Sequence, residues 1–319
     1  MTLLTPLVAW QSQQGTRGKE NDDHHGWFAV ERSDQPRPVY VALVADGVTS
    51  TEGGAQASRI AVEAVGAALA ERPDSRETLS EWLANAILHA NEEILFEAKR
   101  NPQWKGMSTT IVLAALAGEK LYIMHLGDSR AYLLRAGQLY QLTADHTWAQ
   151  AAYEAGTLTA AEAERHPGRN QLQRYLGTQH TVNVARGLIA PGSDHMEEYL
   201  LVQPGDALLL CTDGIYRRLN ADLIRQTLAV HAGNPQSVVD TLVTTAAANG
   251  EIDDITALAV EIPADQARSP SPTSTAMPAS YRLAENEAQS NPPNRFAPLL
   301  LGIAIILVIV AIYLLLNST

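Results

Sequence analysis

The chain is short of cysteine and of positive charge, and each shortage removes a class of protein. One cysteine, Cys211, stands among 319 residues, so neither a disulfide framework nor a thiolate zinc site can carry the fold. Lys and Arg number 23 against 35 Asp and Glu, a formal charge of -12, which speaks against nucleic acid as a partner. There is no internal repeat. The opening MTLLTPLVAWQSQQ lacks a basic start, a long apolar stretch and a small-residue cleavage site, so no secretory leader is expected. At about 100–200 residues per domain, the length allows one or two folded units with a sizeable core.

The apolar residues are spread unevenly. From Phe296 to Leu316 no residue is charged, and about 20 residues rising ~1.5 Å each cross a ~30 Å hydrocarbon layer. A transmembrane helix is therefore expected over 296–316, followed by a three-residue tail, 317–319. Arg282 and Arg295 before the span and uncharged Asn317, Ser318 and Thr319 after it favour a cytoplasmic N-terminal part. Residues 264–295 hold five prolines among Ser, Thr, Asn and Gln and read as a flexible tether.

Residues 1–263 read as a folded α+β domain. The run 39–45, VYVALVA, is rich in β-branched residues and ends at Asp46-Gly47, as a buried strand does. Apolar residues at three- and four-residue intervals predict helices over 54–72 and 77–99. Four short strands, 109–117, 121–126, 131–134 and 139–142, are separated by glycine turns and read as an antiparallel meander. Residues 147–169 are polar and Ala-rich, one or two short helices that look like an insertion. Strands are expected again at 199–202, 207–211 and 255–262, with helices at 221–230 and 235–248. Strands in runs with helices grouped between them exclude a βαβ sheet.

The chemistry lies in the acidic residues. Asp22 and Asp23 follow Asn21, Asp46 and Asp213 each precede a glycine at the end of an apolar strand, Asp128 lies in GDSR, and Asp253-Asp254 opens the last strand. Asp-Gly alone is ordinary turn chemistry. Several such carboxylates at one sheet edge repel unless a cation sits among them. Oxygen donors without a cysteine set favour Mg²⁺ or Mn²⁺. Two such ions roughly 3.5–4 Å apart can share a water, lower its pKa and deliver hydroxide in line to a phosphorus centre. Arg17 offers paired donors that match phosphate oxygens.

These motifs resemble the metal-dependent protein phosphatases, the protein phosphatase 2C family, in order over nearly all of residues 10–262. GTRGKENDD is similar to the family's opening segment and VADG to its first strand-end Asp-Gly. GMSTTIVLAAL, LGDSRAYLLRAGQLYQLTADH, RNQLQRYLG, LLLCTDGIY and DDITALAV follow. The resemblance implies an αββα sandwich of two antiparallel sheets flanked by helices, with a dinuclear Mn²⁺ or Mg²⁺ centre at one end. It implies that Asp46 bridges both ions, that the Gly47 carbonyl binds one, and that Asp213 and Asp253 are ligands. Asp128 matches a position that helps hold a third, weaker ion, Arg17 a phosphate-gripping arginine, and 147–169 a mobile flap. In the first motif Asp22 preserves the spacing from the arginine and Asp23 the Asn-x-Asp spacing, so both are candidates. After Gly47 the family often has His-Gly-Gly or Met-Gly-Gly, whereas this chain has Val48-Thr49-Ser50. A histidine general acid is thus absent from that place. Nearby His24 and His25 are read as solvated and His146 as a structural hydrogen-bonder.

The expected activity is metal-dependent hydrolysis of phosphoserine and phosphothreonine on proteins by direct attack of a metal-bridging hydroxide. A membrane tether would favour nearby substrates such as a Ser/Thr kinase or its targets. The rival reading is a catalytically weak pseudophosphatase that binds phosphoproteins at the membrane.

Overall fold

The structure, a computed structural model, describes residues 5–48, 53–71, 77–193 and 195–264. The expected span over 296–316, the tail 317–319 and all but the first residue of the tether lie outside the described residues. Among the described ones, no helix is long and apolar enough to cross a membrane.

Strands β1 (Leu7–Gln13), β2 (Asp23–Val30) and β3 (Val39–Asp46) precede helices α1 (Gly54–Ala70) and α2 (Leu79–Arg100). Strands β4 (Ile111–Ala117), β5 (Lys120–Leu126), β6 (Arg130–Arg135) and β7 (Gln138–Gln141) lead to α3 (Trp148–Glu154) and α4 (Ala160–Arg165). Then come the short strands β8 (Ala185–Arg186), β9 (Leu188–Ile189), β10 (Met196–Glu197) and β11 (Leu200–Leu201), and the longer β12 (Ala207–Cys211). Helices α5 (Asp213–Tyr216), α6 (Ala221–Val230) and α7 (Pro235–Ala248) precede the last strand, β13 (Ile255–Glu261).

Two sheets form. One runs β1-β13-β12-β6-β7, the other β11-β5-β4-β3-β2 with β8 on the side of β5, and their strand pairs are antiparallel. Both faces of each sheet are covered, which is why the central strands read as unbroken apolar runs. In β3, Val39, Val41, Leu43 and Ala45 pack with α1 and α2, while Ala42 and Val44 pack between the sheets. In β13, Ile255, Ala257 and Ala259 pack with α5 to α7, while Leu258 and Val260 join the intersheet layer. The layers are thus helix, sheet, sheet, helix, as the resemblance implies. Cys211 is buried in this packing, which pushes its thiol up to about 12 and leaves it protonated.

The four-strand meander is not formed. β4–β5 belongs to one sheet and β6–β7 to the other, so the chain crosses the sandwich at Gly127-Asp128-Ser129. Period-two patterning gives each hairpin but carries no signal for a change of sheet. The crossing depends on Gly127, whose φ of 104° is unfavourable for other residues and whose α-hydrogen faces Thr110; a Cβ there would lie 2.5 Å from Thr110 Cγ2. Strands β1 and β2 are also additions. β2 reads DHHGWFAV, and its histidines and glycine break the alternation that marks a strand.

Two glycine substitutions separate backbone strain from the collision. Gly127→Ala should lower stability by more than about 1–3 kcal/mol, whereas Gly118→Ala, at φ 61° with nothing within 4 Å, should cost only about 1 kcal/mol. Urea unfolding of the two variants checks the ranking.

Candidate metal centre

The register of β2 on β3 sets Asp23 directly opposite Asp46, a like-charge cross-strand pair that opposes the sheet unless something compensates it. Both strands end there. From the other sheet, β12 ends at Cys211 and delivers Thr212 and Asp213, while β13 is preceded by Asp253 and Asp254. The sheet-crossing turn brings Asp128 to the same end of the sandwich.

Hydroxyls stitch the seam. Thr212 Oγ1 donates to Asp23 Oδ2 at 2.8 Å, Thr256 N donates to Thr212 Oγ1 at 3.1 Å, and Ser12 Oγ lies 2.8 Å from Thr256 Oγ1. Asp46 is held through its backbone, its carbonyl accepting from Thr110 N at 2.8 Å and from Thr109 Oγ1 at 2.8 Å. The glycines after Asp46 and Asp213 are needed for close approach: a Cβ on Gly47 would lie 2.3 Å from the Gly54 carbonyl oxygen, and one on Gly214 would lie 2.2 Å from that of Asp254.

The carboxylates sort into two groups. Asp22 accepts from Ala55 N in the first turn of α1 at 2.9 Å, and its carbonyl accepts from Gly47 N at 3.0 Å and from Ser58 Oγ at 2.6 Å. Asp254 accepts from Gly15 N and from Asp22 N, both at 2.7 Å. These two clasp the 14–22 loop and the start of α1. Asp23, Asp46, Asp128, Asp213 and Asp253 crowd one another at the seam, with Asp254 also acting on Asp23. Burial raises the carboxyls of Asp23, Asp46 and Asp213 well above the ordinary range, and neighbouring carboxylates raise them further. Burial likewise raises Asp22 and Asp128 to about 6, with Asp254 adding to the first and Asp145 to the second.

Two guanidiniums answer this charge. Arg17 and Arg217 both bind Asp253, the second at 3.2 Å, and Arg217 also binds Asp213. Asp213 Oδ1 is buried without a hydrogen-bond partner. Among the described residues, no three His, Cys, Asp or Glu side chains are gathered into a ready-made cation cage, and Asp213 and Asp253 are engaged by arginine. The donor set nevertheless fits a hard divalent cation: it is all oxygen, it holds an orphaned carboxylate oxygen, and its protons are bound against mutual repulsion.

The histidines depart from expectation. His25 is buried rather than solvated, with neither ring nitrogen hydrogen-bonded, and His24 Nδ1 lies 3.1 Å from Ser58 Oγ. Burial pushes both down to about 4, helped by Arg59 at His24 and by His24 at His25. Both are neutral at physiological pH. His146 Nδ1 accepts from Gly127 N at 3.2 Å and its ring stacks on His125 at 4.5 Å, the structural role read for it. Residues 147–169 form α3 and α4, each begun by a threonine cap. Sequence reasoning missed Arg217, Thr212 and Thr256, which stand beside motif residues but match no catalytic pattern.

The model of the family described as protein phosphatase 2C matches residues 12–248. The chain belongs to the protein phosphatase 2C family. It is accordingly a metal-dependent protein-serine/threonine phosphatase. The serine/threonine phosphatase stp of Listeria monocytogenes is 30% identical over 254 residues, covering 79% of this chain and 94% of that protein. The serine/threonine protein phosphatase PstP of Mycobacterium tuberculosis is 34% identical over 189 residues, covering 59% of this chain and 34% of that longer protein. Among solved structures, the Staphylococcus aureus phosphatase Stp1 superposes with a TM-score of 0.68 at 26% identity, over 82% of this chain and 96% of that one. A PstP catalytic domain in complex with two manganese ions gives 0.65 at 26% identity, over 82% and 100%.

The raised carboxyls set a pH dependence. A folded-state pKa above the ordinary carboxylate value gives stability that is full at low pH and is lost as pH rises through the folded value, about 6 for Asp22 and Asp128. Divalent ions need the ligands deprotonated and so compete with protons. The gain in melting temperature when Mn²⁺ is added to chelated protein should therefore grow from about pH 5.5 to about pH 7.5. The difference cancels the histidine contributions common to both forms, and scanning fluorimetry at fixed ionic strength measures it.

Proposed function

We propose that the chain hydrolyses phosphoserine and phosphothreonine esters on proteins, with Asp23, Asp46, Asp213, Asp253 and the Gly47 carbonyl holding two Mn²⁺ or Mg²⁺ ions, Asp128 beside them, and Arg17 gripping the phosphate. One observation carries this reading: five mutually repelling carboxylates share one end of the sandwich with an arginine from the 14–22 loop already drawn to Asp253. Asp23 is favoured over Asp22 because the Asp22 carboxylate serves the first turn of α1. The chemistry supplied by bound divalent ions is a lowered pKa for water and neutralisation of phosphate charge.

The chain's own residues do the rest. Asp46 and Asp23, locked by strand register, fix the spacing of the donors. Arg17, 31% exposed at the side chain, can leave Asp253 for the paired oxygens of a phosphate. His24 and His25 stay neutral, so the leaving group takes its proton from water rather than from an imidazolium.

The span 296–316, the tether 264–295 and a catalytic domain over 1–263 complete the reading: a phosphatase held on the cytoplasmic face, with phosphoproteins at the membrane, a Ser/Thr kinase or its targets among them, as substrates. The uncharged run from Phe296 to Leu316 supports the anchor. An acidic set retained at every position of the cluster favours turnover over mere phosphoprotein binding.

Phosphate release from a phosphothreonine peptide by the full-length chain tests this. Turnover should require Mn²⁺ or Mg²⁺ and stop with chelator. Asp46→Asn and Asp213→Asn should each lower kcat about a hundredfold or more, and activity retained in both would refute the site. Arg17→Ala should raise KM about tenfold or more with a smaller change in kcat.

A further inference from the structure

Of the two guanidiniums in the acidic centre, one is built in. Arg217 caps the one-turn helix α5, its backbone N–H donating to the Asp213 carbonyl at 3.0 Å. This fixes its Cα one turn beyond Asp213, and the side chain folds back to pair with Asp213 and to reach Asp253 at 3.2 Å. Its Nε is buried without a hydrogen-bond partner, so its placement follows charge rather than complete hydrogen bonding. The preceding Tyr216 donates its hydroxyl to the Asp128 carbonyl at 2.9 Å, and the Arg130 guanidinium lies 3.6 Å over the Tyr216 ring. The Asp128 turn is thereby tied to the helix that carries Arg217, and the Arg217 charge acts on the Asp128 carboxylate. Arg218 turns away to Glu251 at 3.0 Å. Only one of the two adjacent arginines enters the cluster.

We propose that Arg217 is a resident cation of this centre, its guanidinium taking the ground between Asp213 and Asp253, next to the Asp128 turn that Tyr216 ties to it, that a third divalent ion would need, so that the chain binds two ions and not three. The proposal rests on the acidic residues being the metal site. A guanidinium stays charged at any physiological pH, and a dication entering beside it meets strong like-charge repulsion. Arg17 does not fill this role, because it comes from a loop and is the group that meets the substrate. Arg217 is a positioning residue: it holds Asp213 and Asp253 in place by neutralising them.

The test counts ions on the full-length chain by electron paramagnetic resonance of free Mn²⁺ during titration, with circular dichroism in chelator as the check on folding. Wild type and Arg217→Lys should each bind two equivalents. Arg217→Gln, which keeps a polar side chain without charge, and Arg217→Ala should bind a third, weaker equivalent, and should melt at lower temperature in chelator with the loss reversed by Mn²⁺. Three equivalents on wild type, or two on all four proteins with unchanged affinities, overturns the role of Arg217 and leaves the metal site standing. No binding by folded wild type overturns the site itself, and this inference with it.

Discussion

The crowding of carboxylates at one end of the sandwich is the constraint around which the structure is arranged. Asp23 and Asp46 are forced opposite each other by strand register, and Asp213 and Asp253 are added from the second sheet. Burial and repulsion both raise the energy of such a cluster when it is charged. It can persist in a stable domain only because the surrounding scaffold fixes it in many ways. Here the scaffold is two sheets buried on both faces, whose apolar strands bury enough surface to offset a locally unfavourable end.

The scaffold also places backbone where side chains cannot go. Gly47 and Gly214 let segments from different elements touch at the seam, and the Thr212 hydroxyl, itself bonded to Thr256 within its own sheet, bridges to Asp23 of the other. Asp22 and Asp254 belong to this support: backbone N–H groups from the 14–22 loop and α1 satisfy them. Adjacent residues of like chemistry thus take opposite parts, Asp22 capping a helix and Asp23 entering the cluster. The boundary of β2 separates them: Asp22 lies in the loop before the strand, where Ala55 N reaches its carboxylate, and Asp23 is the first strand residue, paired opposite Asp46.

Much of this was legible in the chain. The helices over 221–230 and 235–248 and the strand at 207–211 agree with the observed bounds, because Asn220 and Asn234 cap the helices and the Pro204-Gly205-Asp206 turn precedes the strand. The acidic positions could be read because each closes or opens an apolar strand. What escaped is nonlocal. A hairpin looks the same in either sheet, so the crossing at Gly127 could not be seen from residues on either side of it. β2 was hidden because its side chains serve the site and α1 rather than a regular pattern. Buried His25 reads from sequence as solvated because its neighbours there are acidic, while its neighbours in space include Trp10.

Arg217 illustrates the same limit from the side of function. By sequence it is one of two arginines after a helical turn, as suited to a surface as Arg218. Its meaning comes from the two carboxylates it pairs with, Asp213 and Asp253, contributed by different segments. A covalently attached cation differs from a dissolved one in a way that matters here: its local concentration is fixed by the chain and cannot be diluted, whereas a weak metal ion is held only at adequate free concentration. A centre that carries part of its positive charge on an arginine therefore depends less on the supply of metal. The cost is a single charge and a fixed geometry where an ion would bring two charges and exchangeable water.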